Sequence, residues 1–301
     1  MKNKLETIIN GVKFKNPIIA ASGCYGFGRE YNELYDISLL GGISSKGLTL
    51  EPRQGNKGIR IWETASGMMN SVGLQNPGVH RFIEEELPWM RKHDTVIIAN
   101  LGGSLIEDYI EGINLLNKTE VDMIELNISC PNVKTGGMAL GIKADIAFEA
   151  VKLCKQASEK PLMVKLSPNA ENIIEMAQAC EAAGADSLSL VNTFNAMAVD
   201  VRNKKAVFNN TYAGLSGAAI KPIALRMVHQ VCKNVKIPVV GLGGIYTLED
   251  ILAFIMVGAT AVQVGTANFN EPNILPTLIQ QLEQYCEEEK LNHISDIQGI
   301  I

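Results

Sequence analysis

Apolar residues along this chain come in short, near-continuous runs separated by longer stretches of mixed polarity. The runs are PIIAAS from Pro17, GGISSKG from Gly41, VIIANLGG from Val96, MIELNIS from Met123, LMVKLS from Leu162, SLSLVN from Ser187, PVVGLGG from Pro238 and AVQVGT from Ala261. Strands read this way when both faces are buried, as in a parallel sheet covered by helices. Between them, NAENIIEMAQACEAAGAD puts Ile173, Ala177, Cys180 and Gly184 on one helical face, with Asn169 as the candidate cap and Gly184 at the stop. A second helix is expected from about Lys221 through Val231, because Pro222 suits a first turn. Eight strands alternating with helices predict an α/β fold, a (β/α)8 barrel. A doubly wound sheet is the alternative, but eight βα units without a topological break favour closure.

Three segments fall outside this alternation. Before the first run, TIINGVKFKNP predicts a hairpin turning at Asn10–Gly11, placed to plug the barrel floor. The gap between the second and third strands holds WETASGMMNSVGLQNPGVHRF, too long for a helical crossover alone. The gap between the sixth and seventh holds AVDVRNKKAVFNN, which reads as an inserted hairpin turning at Asn203–Lys205. No repeat or linker divides the chain, so residues 1–301 are expected to form one domain.

Composition narrows the class. The chain is 47% hydrophobic and 20% charged, which suits a folded enzyme and not a disordered tail. A net charge of −5 without a basic stripe argues against nucleic acid as a partner. No apolar run approaches the ~20 residues of a membrane span. MKNKLETIING lacks the apolar core of a signal peptide, so a cytoplasmic location is expected. Six scattered cysteines, with no C-x-x-C pair, suggest reduced thiols and no metal or iron–sulfur site in this chain.

In such barrels the chemistry sits at the carboxyl ends of the strands. Those ends carry Ala21 and Ser22, Lys46 and Gly47, Asn100, Asn127 followed by Cys130, Lys165, Asn192 and Thr193, Gly243–Gly244, and Gly265–Thr266. Glycines after the last two strands suit a phosphate, since bare backbone N–H groups can approach its oxygens; the plainer alternative is tight turns. Lysines at the ends of buried strands need an anion, supplied either by a ligand or by an internal ion pair. Asparagine offers both a donor and an acceptor to the edge of a planar, amide-bearing ring. No His, Asp or Glu stands at these ends, which leaves Cys130 as the candidate base; its plainer alternative is a packed thiol.

The motifs NISCPNVKTGG, GMMNSVGLQNPG, SSKGLTLEPRQGN, VKLSPN, GLGGI and VQVGTANF, spread along the chain between Ala20 and Phe269, resemble the catalytic subunit of dihydroorotate dehydrogenase. The NVKTGG that follows the cysteine resembles the NAD-linked class 1B type more than the fumarate-linked class 1A type. The resemblance implies an FMN-containing (β/α)8 barrel that oxidises dihydroorotate to orotate in pyrimidine synthesis. On it, Ser22, Lys46, Gly47, Asn100, Asn127, Lys165, Val191, Gly217, Gly243, Gly244, Gly265 and Thr266 fall at FMN-binding positions. Lys46, Asn70, Ser71, Val72, Gly73, Leu74, Asn127, Asn192 and Thr193 fall at pyrimidine-binding positions, and Cys130 at the catalytic base. Ser71 and Val72, and the stretch GMALGIKAD, depart from the family's more usual pattern without touching a catalytic position.

The implied chemistry removes a proton from one carbon and a hydride from its neighbour. A free thiol with a pKa of ~8.5 is only slightly ionised at neutral pH, so turnover is expected to rise with pH. Lys165 would stabilise charge on the reduced flavin, and Gly136 and Gly137 would hinge a lid over Cys130. The chain lacks an NAD fingerprint and cluster ligands, so the class 1B reading implies a partner subunit carrying FAD and a 2Fe-2S cluster, in a heterotetramer of two catalytic and two electron-transfer subunits. Its rivals are the fumarate-linked class 1A enzyme, a non-redox barrel lyase or isomerase acting on a phosphorylated substrate, and a barrel that binds without catalysis.

Overall fold

Eight parallel strands close into a barrel in simple chain order, in a computed structural model that describes residues 3–128 and 140–301. They are β1 (Ile18–Ala20), β2 (Gly42–Ser44), β3 (Val96–Leu101), β4 (Met123–Asn127), β5 (Leu162–Lys165), β6 (Ser187–Leu190), β7 (Val239–Leu242) and β8 (Ala261–Val264). Each matches one of the eight apolar runs. Closure comes from β8 pairing with β1, with Gln263 opposite Ile19. Helices between the strands present their apolar faces to the sheet. In Ile173–Ala182, for example, Ile173, Met176, Ala177 and Cys180 are buried at helical spacing.

Two expectations about helix starts part company. The Lys221–Cys232 helix carries its proline in the first turn as expected. The Ile173 helix is capped by Asn172, whose side chain accepts from the backbone N–H groups of Ile174 and Glu175, and not by Asn169. Asn169 is used elsewhere: its amide donates to the Thr193 carbonyl and accepts from the Asn195 N–H, tying the β5 and β6 loops together. Gly184 ends this helical stretch at φ +97°, as expected of a left-handed stop.

Since alternate residues of a strand face the same way, the interior of the barrel can be read as layers. At the bottom, the N-terminal hairpin (Thr7–Ile9 with Val12–Phe14) inserts Ile9 and Phe14 beneath Val96, Met123 and Ala261. Ile19, Ile98, Met163 and Val240 from the odd strands form the next, apolar layer. Above it the even strands contribute Ser44, Glu125, Ser189 and Gln263, all buried. The barrel is therefore apolar at its base and polar toward the carboxyl ends of its strands.

The two long gaps fold onto each other. Ile61–Thr64 and Gly67–Asn70 form a hairpin after β2, and Phe194–Met197 pairs with Tyr212–Ser216 after β6. Gly67–Asn70 then pairs with Tyr212–Ser216, placing Asn70 opposite Gly214 and giving a four-stranded antiparallel sheet above the barrel. Its small core is Met69, Val207, Phe208 and Ala213. The expected turn at Asn203–Lys205 lies in the short hairpin Val199–Asp200 with Lys205–Ala206.

Candidate active site

Between the strand ends and this sheet lies a cavity of about 280 Å³. Ser22, Lys46, Gly47, Asn127, Lys165, Val191, Gly217, Gly243, Gly244, Gly265 and Thr266 line it, as do Asn70 to Leu74, Asn192 and Thr193. Asn100 does not line it; its side chain is buried just below. Cys130, with Gly136 and Gly137, lies outside the described residues. The cavity wall includes both insertions, since Ile61, Met68, Gly214 and Ser216 also face it.

Each element holds its contribution in place locally. After β7, Gly243 (φ +128°) and Gly244 (φ +75°) turn the chain back so closely that a Cβ on Gly244 would sit 2.8 Å from the Gly217 carbonyl oxygen. That turn is anchored by Asp250, which accepts from the Tyr246 and Thr247 N–H groups and pairs with Lys221. Thr266 donates to the Ser216 hydroxyl, joining the β8 loop to the upper sheet. Below the upper sheet, Asn76 fixes the loop 70–78: its oxygen accepts from the Thr49 and Gly78 N–H groups, and its amide donates to the Leu74 carbonyl. Leu74 itself adopts φ +54°, an uncommon conformation for a γ-branched residue.

The floor is where the structure adds most to the sequence. Glu125, fully buried in β4, accepts four hydrogen bonds. Ser44 Oγ and Asn100 Nδ2 donate to Oε2 at 2.7 and 2.6 Å; Ser189 Oγ and Gln263 Nε2 donate to Oε1, each at 2.7 Å. Lys165 Nζ stands 3.6 Å from Glu125 Oε2 and donates to Gln263 Oε1 at 3.4 Å. Burial alone would raise the Glu125 carboxyl. The Lys165 ammonium and the Ser44, Ser189 and Gln263 hydrogen bonds outweigh it and hold the group below the usual carboxylate range. Of the two sources of anion open to a strand-end lysine, Lys165 therefore has an internal one.

Sequence reasoning looked only at strand ends and so passed over Glu125, two residues inside Asn127. A carboxylate with no exposure and four donors is acceptor-saturated and cannot exchange protons with a ligand. It also missed Cys24, a thiol at the cavity wall. Burial pushes Cys24 up to about 11, against the pull of Lys165 and Lys46, so near neutrality it is an uncharged thiol. Burial also lowers the Lys46 amine, the Cys24 thiol opposing and Arg60 adding to the effect. Cys154, Cys180 and Cys286 are packed helix residues facing the core, and all five described cysteines are free.

Above the floor, Asn192 Nδ2 donates to Asn127 Oδ1 at 3.3 Å, and the Asn192 oxygen accepts from the Thr193 N–H at 2.7 Å. Asn70 reaches the Gly214 carbonyl at 3.5 Å. A planar ligand in this space meets amide groups from three separate elements, a buried ammonium below, and glycine backbone at one end. Among the described residues no cluster of His, Cys, Asp or Glu has the makings of a metal site, and no helix is long and apolar enough to cross a membrane.

The family model for dihydroorotate dehydrogenase matches residues 4–286. A protein from Petrotoga mobilis named dihydroorotate dehydrogenase B (NAD+), catalytic subunit, is 57% identical over 99% of this chain and 100% of its own length. Proteins of the same name from Geobacillus sp. and Bacillus cereus are each 50% identical over 99% of this chain, and over 95% and 96% of their own lengths. The layered barrel, the roofed cavity and a match running through nearly every residue agree: the chain belongs to the dihydroorotate dehydrogenase family of oxidoreductases, on the side of its NAD+-linked B-type catalytic subunits.

Proposed function

We propose that this chain is the FMN-binding catalytic subunit of an NAD+-linked enzyme that oxidises dihydroorotate to orotate in pyrimidine synthesis, with residues 1–301 acting as one cytoplasmic domain. The observation that carries the reading is the cavity floor, where the Lys165 ammonium lies under asparagine amides from separate strands. The residues fit FMN. Asn100 Oδ1 is a buried acceptor without a partner among the described residues, and Gly47 beside it is bare enough that an added Cβ would come within 3.1 Å of that oxygen. Such an acceptor suits an N–H on a planar heterocycle. Ser22, Lys46, Gly47, Asn127, Lys165 and Val191, with Asn100 reaching up from beside Gly47, would hold the ring system; Gly217, Gly243, Gly244, Gly265 and Thr266 would hold the phosphate. When bound, FMN supplies the acceptor for the hydride.

The protein's own part is binding, orientation and one proton. Dihydroorotate loses a proton from one ring carbon and a hydride from the next, and the bond between them becomes double. Lys46, Asn70, Asn127, Asn192 and Thr193, with the backbone from Ser71 to Leu74, hold the pyrimidine by paired donor and acceptor contacts. Cys130, just beyond β4, takes the proton; Cys24 is too weak an acid to compete as a thiolate. Lys165 stabilises negative charge developing at the floor. A partner subunit carrying FAD and a 2Fe-2S cluster would take the electrons onward, two of each subunit forming the complex.

The purified chain is expected to be yellow, to bleach with dihydroorotate in the absence of oxygen, and to reduce NAD+ only when co-expressed with that partner. A colourless chain that takes up no FMN overturns the reading. Rapid fumarate reduction by the chain alone overturns its NAD+-linked part.

A further inference from the structure

A barrel interior is ordinarily filled by branched apolar side chains. Here one layer carries a carboxylate at its centre, and the arrangement around it has a direction. An ionised carboxylate only accepts hydrogen bonds, so the amides of Asn100 and Gln263 must turn their NH2 groups toward Glu125. Their oxygens then point elsewhere: Gln263 Oε1 to the Lys165 ammonium, Asn100 Oδ1 to the side of Gly47. A buried charge costs several kcal/mol unless paired, and an apolar layer would hold the strands together without that cost.

We infer that Glu125 is a positioning residue for the reaction proposed above: its negative charge orients the amides of Asn100 and Gln263, anchors Lys165, and offsets the positive charge that Lys165 presents to the flavin. The inference rests on the reading that flavin occupies this cavity. Glu125 touches neither ligand; it acts through Lys165 and Asn100. Among the described residues, the charged and titratable groups facing Lys165 are Glu125 from β4 and the Cys24 thiol from the β1 loop, a thiol on which Lys46 also acts.

The test is Glu125→Gln, which keeps shape and removes charge, compared with Glu125→Asp, which keeps charge, and with Lys165→Met. The readouts are the midpoint potential of the bound flavin at about pH 6, the FMN affinity of the stripped protein, and its melting temperature. Glu125→Gln is expected to shift the flavin toward its reduced form by about tenfold at a fixed applied potential, as loss of one nearby negative charge implies. Lys165→Met is expected to shift it the opposite way, and Glu125→Asp to stay near the parent. If Glu125→Gln does not hold flavin, the double variant Glu125→Gln/Lys165→Met isolates the same charge, since replacing both partners of a buried pair is better tolerated than removing one. Read at a pH high enough to ionise the carboxyl stranded in Lys165→Met, its flavin should be easier to reduce than that of Lys165→Met alone. A lower melting temperature and FMN content with an unmoved potential would mean a merely structural carboxylate and would overturn the inference. A parent chain that binds no FMN overturns the functional reading, and the inference with it.

Discussion

Lys165→Met removes one half of a buried ion pair and leaves the other half in place, so the protein's stability should report it directly. The side chains of Lys165 and Glu125 are 5% and 0% exposed, and their charged atoms are 3.6 Å apart. At an effective dielectric of about 20 that attraction amounts to about 5 kcal/mol. Stranding one partner of such a pair costs about 3–5 kcal/mol, and the four hydrogen bonds that Glu125 keeps place the loss near the lower end. The loss should depend on pH, with a definite sign. In the parent, Glu125 is held below its unfolded value, so its contribution is full above the ordinary carboxylate range and fades as pH falls through the folded value. In the variant the ammonium is gone and burial pushes the carboxyl upward, so the folded state binds a proton that the unfolded state does not. The deficit should therefore be largest at about pH 7.5 and shrink toward about pH 5. Urea unfolding of the flavin-free protein, followed by Trp62 and Trp89 fluorescence at both pH values, measures it. A deficit below about 1 kcal/mol, or one equal at the two pH values, would refute the ion pair as drawn.

Cys130→Ala should still bind orotate, while flavin reduction by dihydroorotate slows by about 10²–10⁴-fold; stopped-flow bleaching beside an orotate titration separates the two. Cys130→Ser should retain some activity with its pH profile moved upward, because a hydroxyl is a far weaker acid than a thiol, and normal rates in Cys130→Ala would remove the thiol from the mechanism. Gly265→Ala should lower FMN affinity while leaving the melting temperature of the stripped protein near the parent's, since its backbone is not left-handed and the nearest atom to the new methyl is Cys24 Sγ at 3.3 Å. Gly244→Ala should destabilise the stripped protein itself, because its φ is +75° and the methyl meets Lys221 Cβ at 2.7 Å; an unchanged melting temperature there would contradict the turn geometry.

The eight strands were legible because a parallel strand buried on both faces leaves a near-continuous apolar run; the one longer run, ILAFIMV from Ile251, belongs to the helix Leu248–Met256. The floor hairpin was legible from Asn10–Gly11, where the chain takes φ values of +52° and +81°. Glu125 was present in the text but read past. Ser44, Glu125, Ser189 and Gln263 each stand within two residues of a strand's end, one on every even strand, and only strand register makes them neighbours. Asn172 beat Asn169 as a cap for a similar reason: both can cap, and the choice falls to a tertiary bond between Asn169 and the β6 loop. The pairing of Asn70 with Gly214, 144 residues apart, leaves no local signal at all.

These differences follow a physical division within the site. Its floor is set by barrel register and a saturated polar network, where moving one group strands a buried charge or amide. Its roof is a sheet built from two insertions, joined by backbone pairing and a four-residue apolar cluster. On the proposed function, the floor keeps the Lys165 charge in place through the reaction and the roof, with Asn70 and the loop to Leu74, opens to admit the ligand. Local opening is drawn from elements with few buried contacts. The roof should therefore exchange its amide hydrogens well before β4 and β5 do, and FMN should protect β7–β8 loop amides before it protects any in the floor. Equal protection of roof and floor in the stripped protein would contradict this division.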